Sequence, residues 1–431
     1  MQMEERGKIA EDAGILLAAT DSNTRNAGLL AIAKALKENE TAIIAANQED
    51  MKRSQEESLG APLLKRLTFD ADKITDVIQG IQSLVELKDP LGATKLSTQL
   101  DEGLDLYKVT CPIGVIGVIF ESRPDAFVQI STLCLKSGNA VLLKGGHEAL
   151  ATNRILSKVI GEATKTAGIP AGWVQNLETR DDVTAMLALD QYIDLIIPRG
   201  SNNFVQYIMK NSNIPVMGHA DGICHVYAHE DADIEQAIDI IVDSKTQYVA
   251  ACNTLETLLV NENLAQALLP PLKEALAKKG VHLKGDAATR NIIDVEEATE
   301  EDWKTEYLDY ILSIRVVPTL EAAISHINTY GSGHTDVILT ANESTAKTFL
   351  TFVDSAGVFW NCSTRFSDGF RFGFGAEVGI STSKLHARGP VGLDGLLSYK
   401  YKLLGHGQCV ADYASGKSQF THIPQETNCP I

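Results

Sequence analysis

"KSGNAVLLKGGHEA", residues 136–149, holds the pattern that decides the fold. A short apolar run ends in Lys144, two glycines follow, and a helix is expected over 149–167. Strand, glycine turn and helix make the repeating unit of a parallel sheet. Outward from this unit the alternation continues. Apolar runs at 115–120, 140–143, 173–177 and 195–197 are separated by helical stretches at 127–135, 149–167 and 183–189. It then repeats: 224–228, 255–260, 310–317, 336–339 and 357–360 read as strands and 234–242 as a helix. Pro270-Pro271 reads as the opening of a helix that ends at Gly280. Before all of this, residues 8–88 read as helices. The expectation is two doubly wound α/β units with a seam near 244–252. The acidic stretch 296–302 reads as a solvated loop.

Two segments fit neither unit. "LSTQLDEGLDLYKVTC" (96–111) alternates around Asp101-Glu102-Gly103, a hairpin signal, and "LLSYKYKLLGHG" (396–407) alternates as well. A lone hairpin is marginal, so pairing with another edge, in this chain or a second copy, is expected. The domains are therefore expected as 1–94 with 113–244, then 245–390, with 95–112 and 391–431 as hairpin and C-terminal strand.

The 431 residues are 44% hydrophobic and 22% charged, as in a soluble globular protein of two or three domains. The formal net charge of −18 argues against a nucleic-acid backbone as partner. No apolar run reaches the ~20 residues needed to cross a bilayer. The charged start MQMEERGKIAEDAG is no signal peptide. Seven scattered cysteines without a CxxC pair indicate neither zinc nor a disulfide framework, so no metal is expected and the setting is a reducing cytoplasm.

Two turns carry ligand chemistry. Lys144-Gly145-Gly146-His147 lets a ligand approach the backbone at a helix start, where anions are favoured. "IIPRGSNNFVQYIMK" (196–210) offers a second such turn at Arg199-Gly200-Ser201. Neither is a GxGxxG, but two in one sheet suit a nucleotide with a pyrophosphate. "QYVAACNTLETLLV" (247–260) places Cys252 among small residues where a helix gives way to a strand at the expected seam, a setting for a nucleophile rather than a core thiol. Cys224 and Cys362 read as structural.

In this order the pieces resemble the aldehyde dehydrogenase superfamily. "CPIGVIGVIFESRPDAF" (111–127), "LCLKSGNAVLLKGGHEA" (133–149), "KTQYVAACNTLETLLV" (245–260) and "GISTSKLHARGPVGLDGL" (379–396) resemble its gamma-glutamyl phosphate reductase (glutamate-5-semialdehyde dehydrogenase) family over nearly the whole chain. "IPVMGHADGICHVY" (214–227) is most similar to the eukaryotic form. The resemblance implies a cofactor domain, a catalytic domain and an oligomerisation hairpin. It implies reduction of L-glutamyl 5-phosphate with NADPH to L-glutamate 5-semialdehyde and phosphate, in proline biosynthesis. A homo-oligomer is implied; a glutamate 5-kinase partner is compatible with so labile a substrate.

The resemblance also assigns roles. Cys252 is the nucleophile that carries the acyl group as a thioester. His219 falls where hydrolytic relatives have a general-base glutamate. It is either a proton shuttle, a helper in thiol ionisation, or an ordinary loop histidine. Arg123 falls at the place of the oxyanion asparagine; the alternative is a structural pair with Glu121. Lys144 lies on the adenosine ribose, and His147 stands where NAD-preferring relatives carry a glutamate, which favours a 2′-phosphate and so NADPH. Gly200 and Ser201 match the turn near the pyrophosphate. Glu306 matches the glutamate on the nicotinamide ribose, or is an exposed charge. For the substrate's amino-acid end the candidates are Arg365, Ser363 and Ser381. Other readings are a CoA-acylating dehydrogenase, a Cys-His hydrolase using Cys252 and His219, and a non-catalytic scaffold.

Overall fold

The N-terminal helices follow from their caps and apolar spacing. In a computed structural model residues 2–431 are described except Ser122, Ser201, His219, Ala220 and Leu385, as are the backbone but not the side chains of Ala61, Pro62 and Arg180. Five helices come first: α1 (Met3–Ala18), α2 (Ser22–Glu38), α3 (Glu40–Glu56), α4 (Ala61–Leu67) and α5 (Ala71–Glu86). Asp21 and Asp70 cap α2 and α5 by accepting from the third amide on. In α5, Ile74, Val77, Ile81 and Leu84 recur at helical spacing and are buried.

The hairpin follows as β1 (Thr94–Asp101) and β2 (Leu104–Pro112), antiparallel, and Gly103 takes φ +67° at its turn. Next come β3 (Val115–Phe120), α6 (Pro124–Lys136), β4 (Ala140–Lys144), α7 (Leu150–Thr166), β5 (Val174–Leu177), α8 (Arg180–Leu187), β6 (Leu195–Arg199) and α9 (Asn202–Asn211). The four strands form an all-parallel sheet in the order β5-β4-β3-β6. β3 and β4 are buried at every position, which is why they read as continuous apolar runs. Helices α1, α2, α3 and α5 share one core with this sheet.

The second sheet is built from β7 (Cys224–Ala228), α10 (Ile234–Thr246), β8 (Leu255–Asn261), α11 (Glu262–Ala277), β9 (His282–Gly285), α12 (Ala287–Arg290), β10 (Glu296–Glu297), β11 (Ile311–Val317), α13 (Leu320–Tyr330), β12 (Thr335–Leu339), α14 (Glu343–Phe352) and β13 (Gly357–Trp360). Its order is β10-β9-β11-β8-β7-β12-β13, all parallel. One core packs α10 and α11 on one face; a smaller one packs α13 and α14 on the other. A two-stranded ribbon of β14 (Gly379–Ser381) and β15 (Gly389–Val391) follows, then β16 (Leu397–Leu404), α15 (Val410–Ala414) and β17 (Ile423–Gln425). β16 and β17 flank the hairpin in the order β16-β2-β1-β17, so one chain covers both outer edges of the hairpin itself.

Three expectations change. The sheets divide between β6 and β7, ahead of the 244–252 seam, because β7 pairs with β8 and β12 and so draws α10 into the second unit. The helix after β8 begins at Glu262, capped by Asn261, and Pro270 and Pro271 lie inside it. The acidic stretch is not wholly solvated: Asp302 is buried and accepts from Lys284, Thr299 and Tyr307.

Candidate active site

In the first sheet the chain leaves β3 toward β4 on one side and returns to β6 on the other. The crevice beyond the carboxyl ends of β3 and β6 is therefore a topological switch point, the usual ligand position in such sheets. Glu121 and Arg123 follow β3; Arg199 and Gly200 close β6. Near this rim, with Arg199 acting on Cys252, lies the loop that precedes the amino end of β8.

That loop is fixed by its own polar groups. Thr254 Oγ1 donates to Tyr248 O (2.7 Å), Asn253 Nδ2 to Ser367 O (2.8 Å), and Cys224 Sγ to Cys252 O (3.3 Å). Gly222 lies flat against the loop: a Cβ there would stand 2.2 Å from Cys252 O and 2.4 Å from its Cα. Only glycine fits so close an approach. Burial pushes the Cys252 thiol up to about 12, the Glu306 and Glu377 carboxylates add to this, and Arg199 pulls against them. The resting group is a thiol, not a thiolate.

Cations surround it. Arg199 feels Arg123, Glu377, Asp125 and Cys252; burial first, then Arg123, holds its guanidinium below the ordinary value. Arg365 is buried, donates from Nε to Gln247 Oε1 (2.9 Å), lies 5.9 Å from the Tyr248 ring centre and also feels Cys252. Among the described residues, Arg123, Arg199 and Arg365 make no ion pair within 4 Å, so Arg123 is not paired with Glu121. Guanidinium groups that make no direct ion pair, set near a half-buried sulfur with Glu377 acting on both Arg199 and Cys252, make a pocket suited to an anionic substrate. Ser363 caps the turn that carries Arg365, accepting from Arg365 N (3.2 Å) and from Ser244 Oγ (3.1 Å). Ser381 is buried on β14, 2.9 Å from Ser383 Oγ.

The cofactor candidates separate into two groups. Lys144 closes β4 and its Nζ donates to Gly145 O (2.7 Å). Gly145 and Gly146 face Asn153 and the Glu148 carboxylate at distances a Cβ would not tolerate. Arg53 donates to the carbonyls of His147 and Glu148. The helix start beyond them is already occupied: Asp50, fully buried, accepts from Ala151 N (3.1 Å), Thr152 N (2.7 Å) and Thr152 Oγ1 (2.7 Å). The expectation that this turn offers helix amides to a phosphate is therefore corrected, because the chain supplies its own carboxylate there.

The second turn, at Arg199-Gly200 before α9, lies at the switch point; Ser201 and His219 fall outside the described residues. Glu306 accepts from Gly222 N and is pushed up to about 7, by burial first and by Asp221. Through Gly222 it stands next to Cys252, away from the Lys144 rim. Among the described residues, Arg199, Arg365 and Glu306 gather at the Cys252 loop with Arg123 beside Arg199, while Lys144, Gly145, Gly146 and His147 stay together at the end of β4. Reading the sequence missed Glu377, Asp221 and Arg66, which reaches Glu121 beside Lys144. No spacing joins these residues to their partners; only the Gly-Ala-Glu run hints at Glu377.

The aldehyde dehydrogenase family profile matches residues 1–294. The gamma-glutamyl phosphate reductase of Acetivibrio thermocellus is 64% identical over 431 residues, 100% of both chains. The crystal structure of the Thermotoga maritima gamma-glutamyl phosphate reductase has a TM-score of 0.93 at 40% identity, covering 95% of this chain and 100% of that one. The Saccharomyces cerevisiae structure has a TM-score of 0.54 at 39% identity, covering 96% and 100%.

Proposed function

Because this chain belongs to the aldehyde dehydrogenase family, and within it to the gamma-glutamyl phosphate reductases, we propose that it reduces L-glutamyl 5-phosphate with NADPH to L-glutamate 5-semialdehyde and phosphate, through a thioester on Cys252. This is the second step of proline biosynthesis from glutamate. The observation that carries the reading is Arg199 and Arg365 acting on one half-buried thiol, with Arg123 beside Arg199 and none of the three in a direct ion pair.

An acyl phosphate brings two negative charges on the leaving group and develops a third on the carbonyl oxygen. Arg123 and Arg199 meet these charges at the carboxyl rim of the first sheet, where low polarity strengthens each contact. Arg365, on the far side of the loop, suits the α-carboxylate of the glutamyl group. Cys252 attacks the acyl carbon as the bond to phosphate breaks. The sulfur proton ends on the departing oxygen, so the acyl phosphate dianion and a thiol become a thioester and hydrogen phosphate. No carboxylate base is required, and its absence at position 219 spares the thioester from water.

The residues fit a dinucleotide. Lys144 and His147 would receive a 2′-phosphate, with Arg66 as a further cation that acts on Glu121 together with Lys144, Gly200 would let a pyrophosphate approach, and Glu306 would accept hydroxyl hydrogens of a ribose next to the sulfur. Bound there, NADPH supplies the hydride that reduces the thioester. Cys252, once released, takes back a proton readily because its surroundings favour the thiol.

The test runs the reaction backwards with semialdehyde, NADP and phosphate. Reduced cofactor should appear only with phosphate present, and Cys252→Ser should bind NADPH normally while losing roughly 10³-fold or more in turnover. Phosphate-independent reduction, or a serine variant near the normal rate, rules the reading out.

A further inference from the structure

Four residues after Cys252 a carboxylate is sealed from water for no reason the mechanism supplies. Glu256 and Lys245 are both 0% exposed, and Lys245 Nζ donates to Glu256 Oε2 at 2.6 Å. The second oxygen is not idle: Glu256 Oε1 accepts from Leu308 N at 3.3 Å. Burying both charges costs several kcal/mol before their attraction returns it, and a well-packed apolar pair would often do as well for stability alone. The placement explains more than the energy does.

Lys245 sits in the last turn of α10 and Glu256 is the second residue of β8, so the pair clamps the two ends of the Cys252 loop. The ladder between β7 and β8 slips here: Cys224 faces Leu255, but His225 faces Thr257. Glu256 is the extra residue of a bulge, a device that re-aims one side chain. It aims the carboxylate at the loop that carries Glu306. In that loop Leu308 holds φ +52°, a left-handed conformation that a leucine keeps only when its surroundings hold it. Tyr307 is anchored from the other side, its hydroxyl 2.7 Å from both Asp302 Oδ1 and Ser313 Oγ. Glu306 is thereby followed by two fixed residues.

We propose that Glu256, braced by Lys245, is a positioning residue that sets the Glu306 loop relative to the Cys252 loop, and so the ribose-binding carboxylate relative to the nucleophile. This rests on the reading that Glu306 binds the nicotinamide ribose. One carboxylate accepts from two donors, Lys245 and Leu308 N. An amide at 256 has one oxygen and satisfies one donor only, while its NH₂ opposes the other. Glu256→Gln therefore frees the Leu308 end whenever the amide oxygen turns to Lys245. Adding Lys245→Met removes the competing donor and returns that oxygen to Leu308.

The experiment measures NADPH dissociation constants by protein fluorescence, and Cys252 alkylation by iodoacetamide without cofactor, in the full-length protein. E256Q should weaken NADPH binding about tenfold and leave alkylation within about twofold. K245M/E256Q should restore binding to within about threefold of the parent. If E256Q fails to fold, K245M/E256L, which packs without charge but cannot accept from Leu308, replaces it and should show the same tenfold loss. E306Q is the control: it should weaken binding as well. Weak binding in E306Q with normal binding in a folded E256Q or K245M/E256L overturns the positioning role alone. Normal binding in E306Q overturns the ribose assignment and the proposal with it. An E256Q defect that the added Lys245→Met leaves untouched also overturns it, since the loss then comes from the charge and not from the Leu308 contact.

Discussion

Glu306 shows how burial turns one side chain into a pH-sensitive group. Its carboxyl is raised to about 7 from an ordinary 4.5. The folded chain then holds this proton more tightly than the unfolded chain does. Stability is thereby lost as pH rises from about 4.5 through about 7, the reverse of the usual salt-bridged carboxylate. Glu306→Gln should raise the melting temperature relative to the parent at pH 8, with a gain that shrinks toward pH 5. A gain independent of pH would mean that the carboxyl is not raised. At this scale Cys252 was legible, because a cysteine among small residues at a helix–strand junction is chemically conspicuous. Arg199 stood in plain view as part of a phosphate turn; that it also acts on the sulfur was not legible. Glu256 and Lys245 were invisible, since a charged residue in a strand gives no sign of a partner eleven positions away.

Elements were read from periodicity, and periodicity reports burial rather than connection. The parallel strands were legible because every residue of β3, β4, β7, β8 and β12 is buried and most are apolar. The start of α11 was not, because Pro270-Pro271 resembles an N-terminal signal while the working cap is Asn261. The closure of α7 by Asp50 was also hidden: the carboxylate comes from α3, about a hundred residues earlier. Asp50→Ala leaves the Ala151 and Thr152 amides without their acceptor and should cost about 2 kcal/mol in chemical denaturation. Because α7 borders the Lys144 rim, the loss should be accompanied by weaker NADPH binding. A variant with unchanged midpoint would show that water replaces the carboxylate without penalty.

The whole molecule divides its task between two sheets, with Arg199 at the end of β6 in one acting on the Cys252 loop that precedes β8 in the other. The alternation of strands and helices announced both layers, but not their border, because only strand pairing decides that β7 belongs to the second. The third sheet was legible as hairpin and late strand; that β17 covers β1 was not, as a three-residue strand is too short to register. On the opposite edge β16 exposes Tyr399, Tyr401 and Leu403 by more than half. Ending the chain at Lys417 removes β17 and uncovers Ser97, Thr98 and Gln99. Light scattering should then show irreversible aggregation on mild warming where the full chain stays clear. A truncated protein that remains clear would relieve β17 of this duty.

That late partner has a consequence for biosynthesis. β1 leaves the ribosome more than three hundred residues before β17, and before β16, which flanks β2. At 5–20 residues per second the nascent hairpin waits roughly 20 to 60 s with its outer hydrogen-bonding groups open. Slow translation past residue 112 lengthens this vulnerable interval, so pausing between residues 112 and 397 should lower the yield of native protein more than pausing after residue 425.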